Sequence, residues 1–275
     1  MRFARFSLLL FPLLFSISVW GQQTQQATAS RAAPQDPQAV SVLNQALSVA
    51  GGAAAISAIQ DYSATGTITY NPDQNLQGSV LIQGLGSTDF RMDATLPDGV
   101  RSMAITQGVL TTKAEDGKVS SFAPQTFAPS SDAFPYRTPL FASSIALPWH
   151  QLARVLGSRG FSVSYKGITQ ADGHSVHDIQ FQRIPAGSAS PANPILQPPS
   201  REVFIDTSTF QVVMTQEAVP KNSMLRVHYS GYRSVSSILM PFSIAEELDG
   251  SQVWSVQLSQ VAFNTGLQES AFTIQ

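Results

Sequence analysis

Between Arg201 and Asn264 the chain alternates apolar and polar side chains run after run, with turn residues separating the runs. Glu202–Asp206 and Phe210–Val219 are parted by Thr-Ser-Thr, and Met224–Val235 follows Pro220-Lys221-Asn222. Met240–Asn264 folds back at Asp249-Gly250. Phe210, Val212 and Met214 share one side of their run; Leu225, Val227 and Tyr229 repeat the pattern, as do Trp254, Val256 and Leu258. A period of two marks antiparallel strands that are buried on one face only. The stretch therefore reads as a meander whose apolar face needs another layer to cover it.

The covering elements lie upstream. Asp36-Pro37 is a helix cap with proline at the first helical position. Val40, Leu43, Leu47 and Ala50 then recur at spacings of three and four, until Gly51-Gly52 ends the helix and Ala53–Ile59 forms a short second one. Strands follow at Tyr62–Tyr70, Gln77–Leu85, Thr88–Thr95, Val100–Gln107, Val109–Ala114 and Lys118–Phe122, with turns at Asn71-Pro72-Asp73, Pro97-Asp98-Gly99 and Asp116-Gly117. Ala123–Pro139 mixes Phe127, Phe134 and Tyr136 with four prolines, which suits an ordered loop that lays rings over the sheet. Leu140–Leu147 is an apolar run, and Trp149–Leu156 is a helix with Leu152, Val155 and Leu156 inward. Phe161–Ile168 and Ser175–Arg183 pair across Asp172-Gly173, and a second proline-rich loop spans Ile184–Ser200. This is one α+β domain with roughly ten or eleven strands and three or four helices.

The first 21 residues read as a secretory signal: Arg2 and Arg5 precede an apolar run from Phe6 to Trp20, and Val19-Trp20-Gly21 supplies the cleavage site. Residues 22–37, rich in Gln, Thr, Ala, Ser and Pro, form a disordered tether, and the folded domain spans 38–275. No later run is long enough to cross a membrane as a helix. The chain contains no cysteine, which excludes disulfides, thiol catalysis and an N-terminal lipid anchor together. Removal of Arg2 and Arg5 with the signal leaves a net charge of −4, and no basic cluster marks a nucleic-acid surface. The expected location is the periplasm.

Motifs for chemistry are sparse. His174-Ser175-Val176-His177 lies on a strand, where residues three apart face opposite ways and cannot share one tetrahedral ion, and no acidic residue is spaced as a partner. Gly-x-Ser-x-Gly, phosphate loops and dinucleotide fingerprints are absent. Glu246-Glu247 points its carboxylates apart on a strand, as at a solvated edge. The reading is of a non-enzyme with no cofactor and no metal. What remains is apolar volume: Phe90, Met92, Met103, Ile105, Phe127, Phe134, Phe181, Val212 and Met214 are the candidates for the wall of an apolar, ligand-binding cavity. The same residues would equally make an ordinary packed core.

Both ends carry a resemblance. Ala46-Leu47-Ser48-Val49-Ala50-Gly51-Gly52 with Ile56, Ile59 and Thr65-Gly66-Thr67-Ile68 begins the domain, and Tyr229-Ser230-Gly231-Tyr232-Arg233 and Met240-Pro241-Phe242-Ser243-Ile244 approach its end. Val261-Ala262-Phe263-Asn264-Thr265-Gly266-Leu267 and Ser270-Ala271-Phe272 close it. These runs resemble the LolA/LolB-like superfamily of outer-membrane lipoprotein-sorting proteins. The resemblance implies a half-open antiparallel β-barrel with helices over a concave apolar face. It also implies a carrier of a lipid or acylated molecule, or else an envelope stress-sensor module that binds a protein partner through its sheet and proline-rich loops. No basic residue characteristic of the carriers can be placed on this sequence.

Overall fold

The computed structural model describes residues 33–70, 76–86, 88–106, 109–122, 147–183, 200–219 and 223–275. The expected signal segment, the tether up to residue 32, the first proline-rich loop with Phe127 and Phe134, and residues 184–199 lie outside them, as do the turns at 71–73 and 220–222.

Helix α1 (Pro37–Val49) begins as its sequence dictates. Asp36 accepts hydrogen bonds from the backbone N–H groups of Gln38 (2.8 Å) and Ala39 (3.4 Å), and Pro37 occupies the first turn. Its buried face is Ala39, Val42, Leu43, Ala46 and Leu47, so Val40 sits at the margin of the stripe rather than on it. Helix α2 (Ala53–Ser57) follows, and α3 (Pro148–Gly157) buries Trp149, Leu152 and Val155. Ala33 and Asp36 donate to the carbonyls of Arg159 and Val163, and Val163 donates to that of Pro34.

Strands fill most of the rest. They are β1 (Asp61–Tyr70), β2 (Leu76–Leu85), β3 (Asp89–Leu96), β4 (Gly99–Thr106), β5 (Val109–Lys113), β6 (Val119–Phe122), β7 (Phe161–Ala171) and β8 (His174–Arg183). After them come β9 (Ser200–Asp206), β10 (Val212–Val219), β11 (Ser223–Ser230), β12 (Arg233–Val235), β13 (Ile238–Met240), β14 (Ser243–Leu248) and β15 (Ser251–Phe263). Among the described residues, thirteen of these make one open antiparallel sheet in the order β6-β5-β4-β3-β2-β1-β15-β14-β11-β10-β9-β8-β7, and β12 and β13 pair separately. The count exceeds the ten or eleven read from sequence because the last third is divided more finely. Met224–Val235 is two strands, broken at Gly231 with φ 63°, and β13, β14 and β15 divide the span from Ile238 to Phe263. Asp172-Gly173, Ser236-Ser237 and Asp249-Gly250 all take positive φ at both positions, the turn geometry that matches strand twist.

One large buried cluster joins α1, α2 and α3 to residues of most strands of the main sheet, and the sheet face that carries it is called the inner face below. A second cluster of Val176, Phe204, Val213 and Met214, with Ala171 against it, is separate. The membership of Met214 corrects the expectation that it shares a side with Val212. In β10 the register with β9 slips between Val212, opposite Ile205, and Met214, opposite Phe204, so Val213 is an extra residue. The bulge turns Met214 to the outer face, while Val212 stays in the main cluster. The tip of the β7–β8 hairpin is tied to the rest of the sheet: His228 on β11 hydrogen-bonds Asp172 (2.7 Å), and His174 hydrogen-bonds Asp206 (2.8 Å).

Candidate functional site

Six of the nine candidate residues meet on the inner face. Phe90, Ile105, Phe181 and Val212 belong to the main cluster at 0–2% exposure, and Met92 and Met103 pack against it from paired positions on β3 and β4. Met214 faces the other way, and Phe127 and Phe134 lie outside the described residues. The cluster they share also holds Leu43 and Leu47 of α1, Ile56 of α2, and Trp149, Leu152 and Val155 of α3.

The inner face is also not uniformly apolar. Arg201, 4% exposed, donates from Nε (2.9 Å) and Nη2 (2.8 Å) to Glu217 Oε2, and from Nη1 to Gln151 Oε1 of α3 (2.9 Å). Two strands and α3 thus meet at one buried guanidinium. Trp149 Nε1 donates to the carbonyl of Leu239, which joins α3 to the β12–β13 pair. Beside this group, Glu246 accepts from Trp254 Nε1 (3.1 Å) and is 9% exposed. Glu246 is therefore buried and not at a solvated edge, because β14 is an interior strand. Only Glu247 faces outward, bonded by Arg226 (2.8 Å).

Burial pushes the Glu246 carboxyl up to about 7, and neighbouring Glu217 adds to the shift against the Trp254 hydrogen bond. From the ordinary value of 4.5 up to about 7, the folded chain holds a proton that the unfolded chain has released. Rising pH therefore favours unfolding across that interval, by on the order of 3 kcal/mol in total. Glu246→Gln is expected to match the parent near pH 4.5 and to be the more stable of the two at pH 8.5 in chemical denaturation. Parallel stability curves for the two proteins would show that Glu246 stays charged in the fold.

The histidine pair behaves differently from its sequence reading in one respect. His174 has an acidic partner, Asp206, which arrives from β9 rather than from nearby sequence. His177 shares a hydrogen bond with Tyr165 Oη (2.9 Å) and stacks on Phe210, with centroids 5.9 Å apart. Among the described residues no three His, Asp or Glu side chains are placed to hold a metal ion.

A cleft of about 690 Å³ opens where β14 leaves the sheet. Val235, Phe242, Val261 and Leu267 supply its apolar wall, and Ser63, Thr65, Ser259 and Thr265 add hydroxyl groups. None of the seven candidates among the described residues lines it. Sequence reasoning missed both this cleft and the Arg201 group. Arg201 itself was legible, since it has the parity of inward Val203 and Ile205. Glu217 was not, because the bulge at Val213 reverses the parity that Val212 sets.

No family model matches the sequence, and no curated protein is similar to it by sequence. Solved structures are similar in fold. An outer membrane lipoprotein-sorting protein domain from Vibrio parahaemolyticus is 9% identical, with a TM-score of 0.50 over 86% of this chain and 96% of that one. A LolA superfamily protein from Nitrosomonas europaea is 10% identical, with a TM-score of 0.51 over 86% and 97%. A DUF1329 family protein from Desulfovibrio piger is 10% identical, also at 0.51, over 86% and 99%. The chain has the LolA-like fold that both of its ends resemble.

Proposed function

We propose that the chain is an exported, periplasmic binding or carrier protein for a lipid or other acylated molecule, and that it performs no catalysis. In this reading the sheet is a half-open barrel, and α1, α2, α3 and the β12–β13 pair are a lid over its concave apolar face. One observation carries the reading most: the main cluster is built jointly from sheet and helices, so withdrawing the helices would uncover a largely apolar trough interrupted by the Arg201–Glu217 pair and Glu246. The LolA-like fold supports it, since similar folds include a lipoprotein-sorting domain. Two polar contacts, Gln151 with Arg201 and Trp149 with Leu239, hold α3 down and can be exchanged for water when it lifts. Among the described residues no helix is long and apolar enough to cross a membrane.

Delipidated protein titrated with a fluorescent fatty-acid analogue is expected to bind saturably, with a Kd on the order of micromolar. Unlabelled fatty acid should compete, and emission from Trp149 and Trp254 should change with occupancy. No saturable binding by a folded protein would remove the carrier reading. The second reading, a module that binds an envelope protein, draws on the cleft.

A further inference from the structure

The cleft beside β15 contains an interrupted strand edge. β15 pairs with β1 as far as Phe263, opposite Tyr62, but β14 reaches only Ser243, opposite Gln257. Beyond that point the chain leading into β14 is diverted into the β12–β13 pair. The orientation of the exposed backbone follows from three facts. Leu258 N–H donates to the carbonyl of Phe242, on the β14 side. The β1 register slips by one residue at Ser259. Asn264 N–H then donates back to the carbonyl of Asp61 on β1. Alternation of the ladder leaves the N–H and C=O of Val261 and Phe263 pointing away from β1, toward the gap. Among the described residues neither has a hydrogen-bond partner on that side.

Such an edge is a template for another strand. The walls beside it suit side chains of alternating character, apolar at Val235, Phe242 and Leu267 and hydroxylic at Ser259 and Thr265. Among the described residues no charged side chain lines the cleft, yet the exposed Arg233 guanidinium lies 4.6 Å from the centroid of the Phe242 ring. Arg233 has no ion-pair partner among the described residues. We infer that this gap is a strand-addition site for an extended peptide segment of a partner protein, with an acidic side chain opposite Arg233. The site shares none of the seven cavity candidates among the described residues, and it does not depend on acyl binding.

The test uses fluorescein-labelled hexapeptides that alternate Val or Thr with Asp or Glu, measured by fluorescence anisotropy against the whole protein. Binding is expected in this set at a Kd below about 1 mM. N-methylation of alternate backbone nitrogens in the best peptide should weaken it about tenfold or more, since strand addition depends on main-chain bonds. Replacing its acidic residues by Lys, or Arg233→Gln in the protein, should weaken it several-fold. Val261→Pro removes the N–H that faces the gap together with a side chain of the cleft wall, and it should abolish binding while the β1-facing groups of Gln260 and Ala262 stay paired. Should that variant fail to fold, amide exchange at Val261 and Phe263 in the parent protein gives the same answer: fast when free and slowed by the peptide. Failure of every peptide to bind, equal binding of the N-methylated form, or displacement of peptide by a fatty-acid analogue alone would each overturn the inference.

Discussion

Glu217→Ala is expected to be among the most damaging single changes in the fold. Arg201 and Glu217 are a buried pair at 5% and 9% side-chain exposure, bonded at 2.8 Å. Deleting the carboxylate leaves a cation in a low-dielectric setting without its counter-charge. The cost is about 3–5 kcal/mol, most of it from desolvation already incurred by the guanidinium. For a domain of this size each kcal/mol lowers Tm by about 2–4 °C, so a fall of roughly 10 °C should appear in a thermal melt. Replacing both partners, Arg201→Met with Glu217→Leu, should recover most of the loss, because an apolar pair carries no buried charge. A single variant that melts within about 2 °C of the parent would mean the pair is hydrated in solution.

Trp149→Ala should cost about 3–5 kcal/mol by the same measure, for a different reason. The indole is fully buried in the main cluster, stands 5.8 Å from the Tyr232 ring, and bonds the carbonyl of Leu239. Its removal leaves a void between α3, the β12–β13 pair and the sheet. If helices and ligand compete for one volume, that void pre-forms part of the ligand's place. The variant should therefore bind the fatty-acid analogue more tightly than the parent, by about tenfold, while being less stable. Loss of stability with unchanged or weaker affinity would place the acyl site elsewhere.

The fold was legible where local chemistry decides it. Asp36-Pro37, Asp172-Gly173 and Asp249-Gly250 announced a helix start and two hairpins, and each is found where the sequence put it. The inward set Phe90, Ile105 and Phe181 followed from a period of two. Legibility failed where one residue breaks that period. The bulge at Val213 sent Met214 outward and brought Thr215 and Glu217 inward, and no turn residue signals it. Glu246 looked like part of a solvated edge because its strand's interior place depends on β15 reaching β1, a long-range pairing. The site fared similarly. Apolar wall residues could be named, whereas the Arg201–Glu217–Gln151 group joins side chains from 151 to 217, and sequence spacing gives no warning of it.

The claim that the helices' side chains stand in for an acyl chain can be measured directly. Protein with isotope-labelled methyl groups and aromatic rings would be titrated with carbon-13-labelled oleate, and contacts between acyl protons and side chains read by filtered nuclear Overhauser spectroscopy. An acyl chain on the inner face is expected to show contacts to Phe90, Ile105, Phe181 and Val212, with Trp149 and Leu152 of α3 moving on binding. Contacts confined to Val235, Phe242 and Leu267 in the cleft, or an undisturbed α3 in saturated protein, would contradict it.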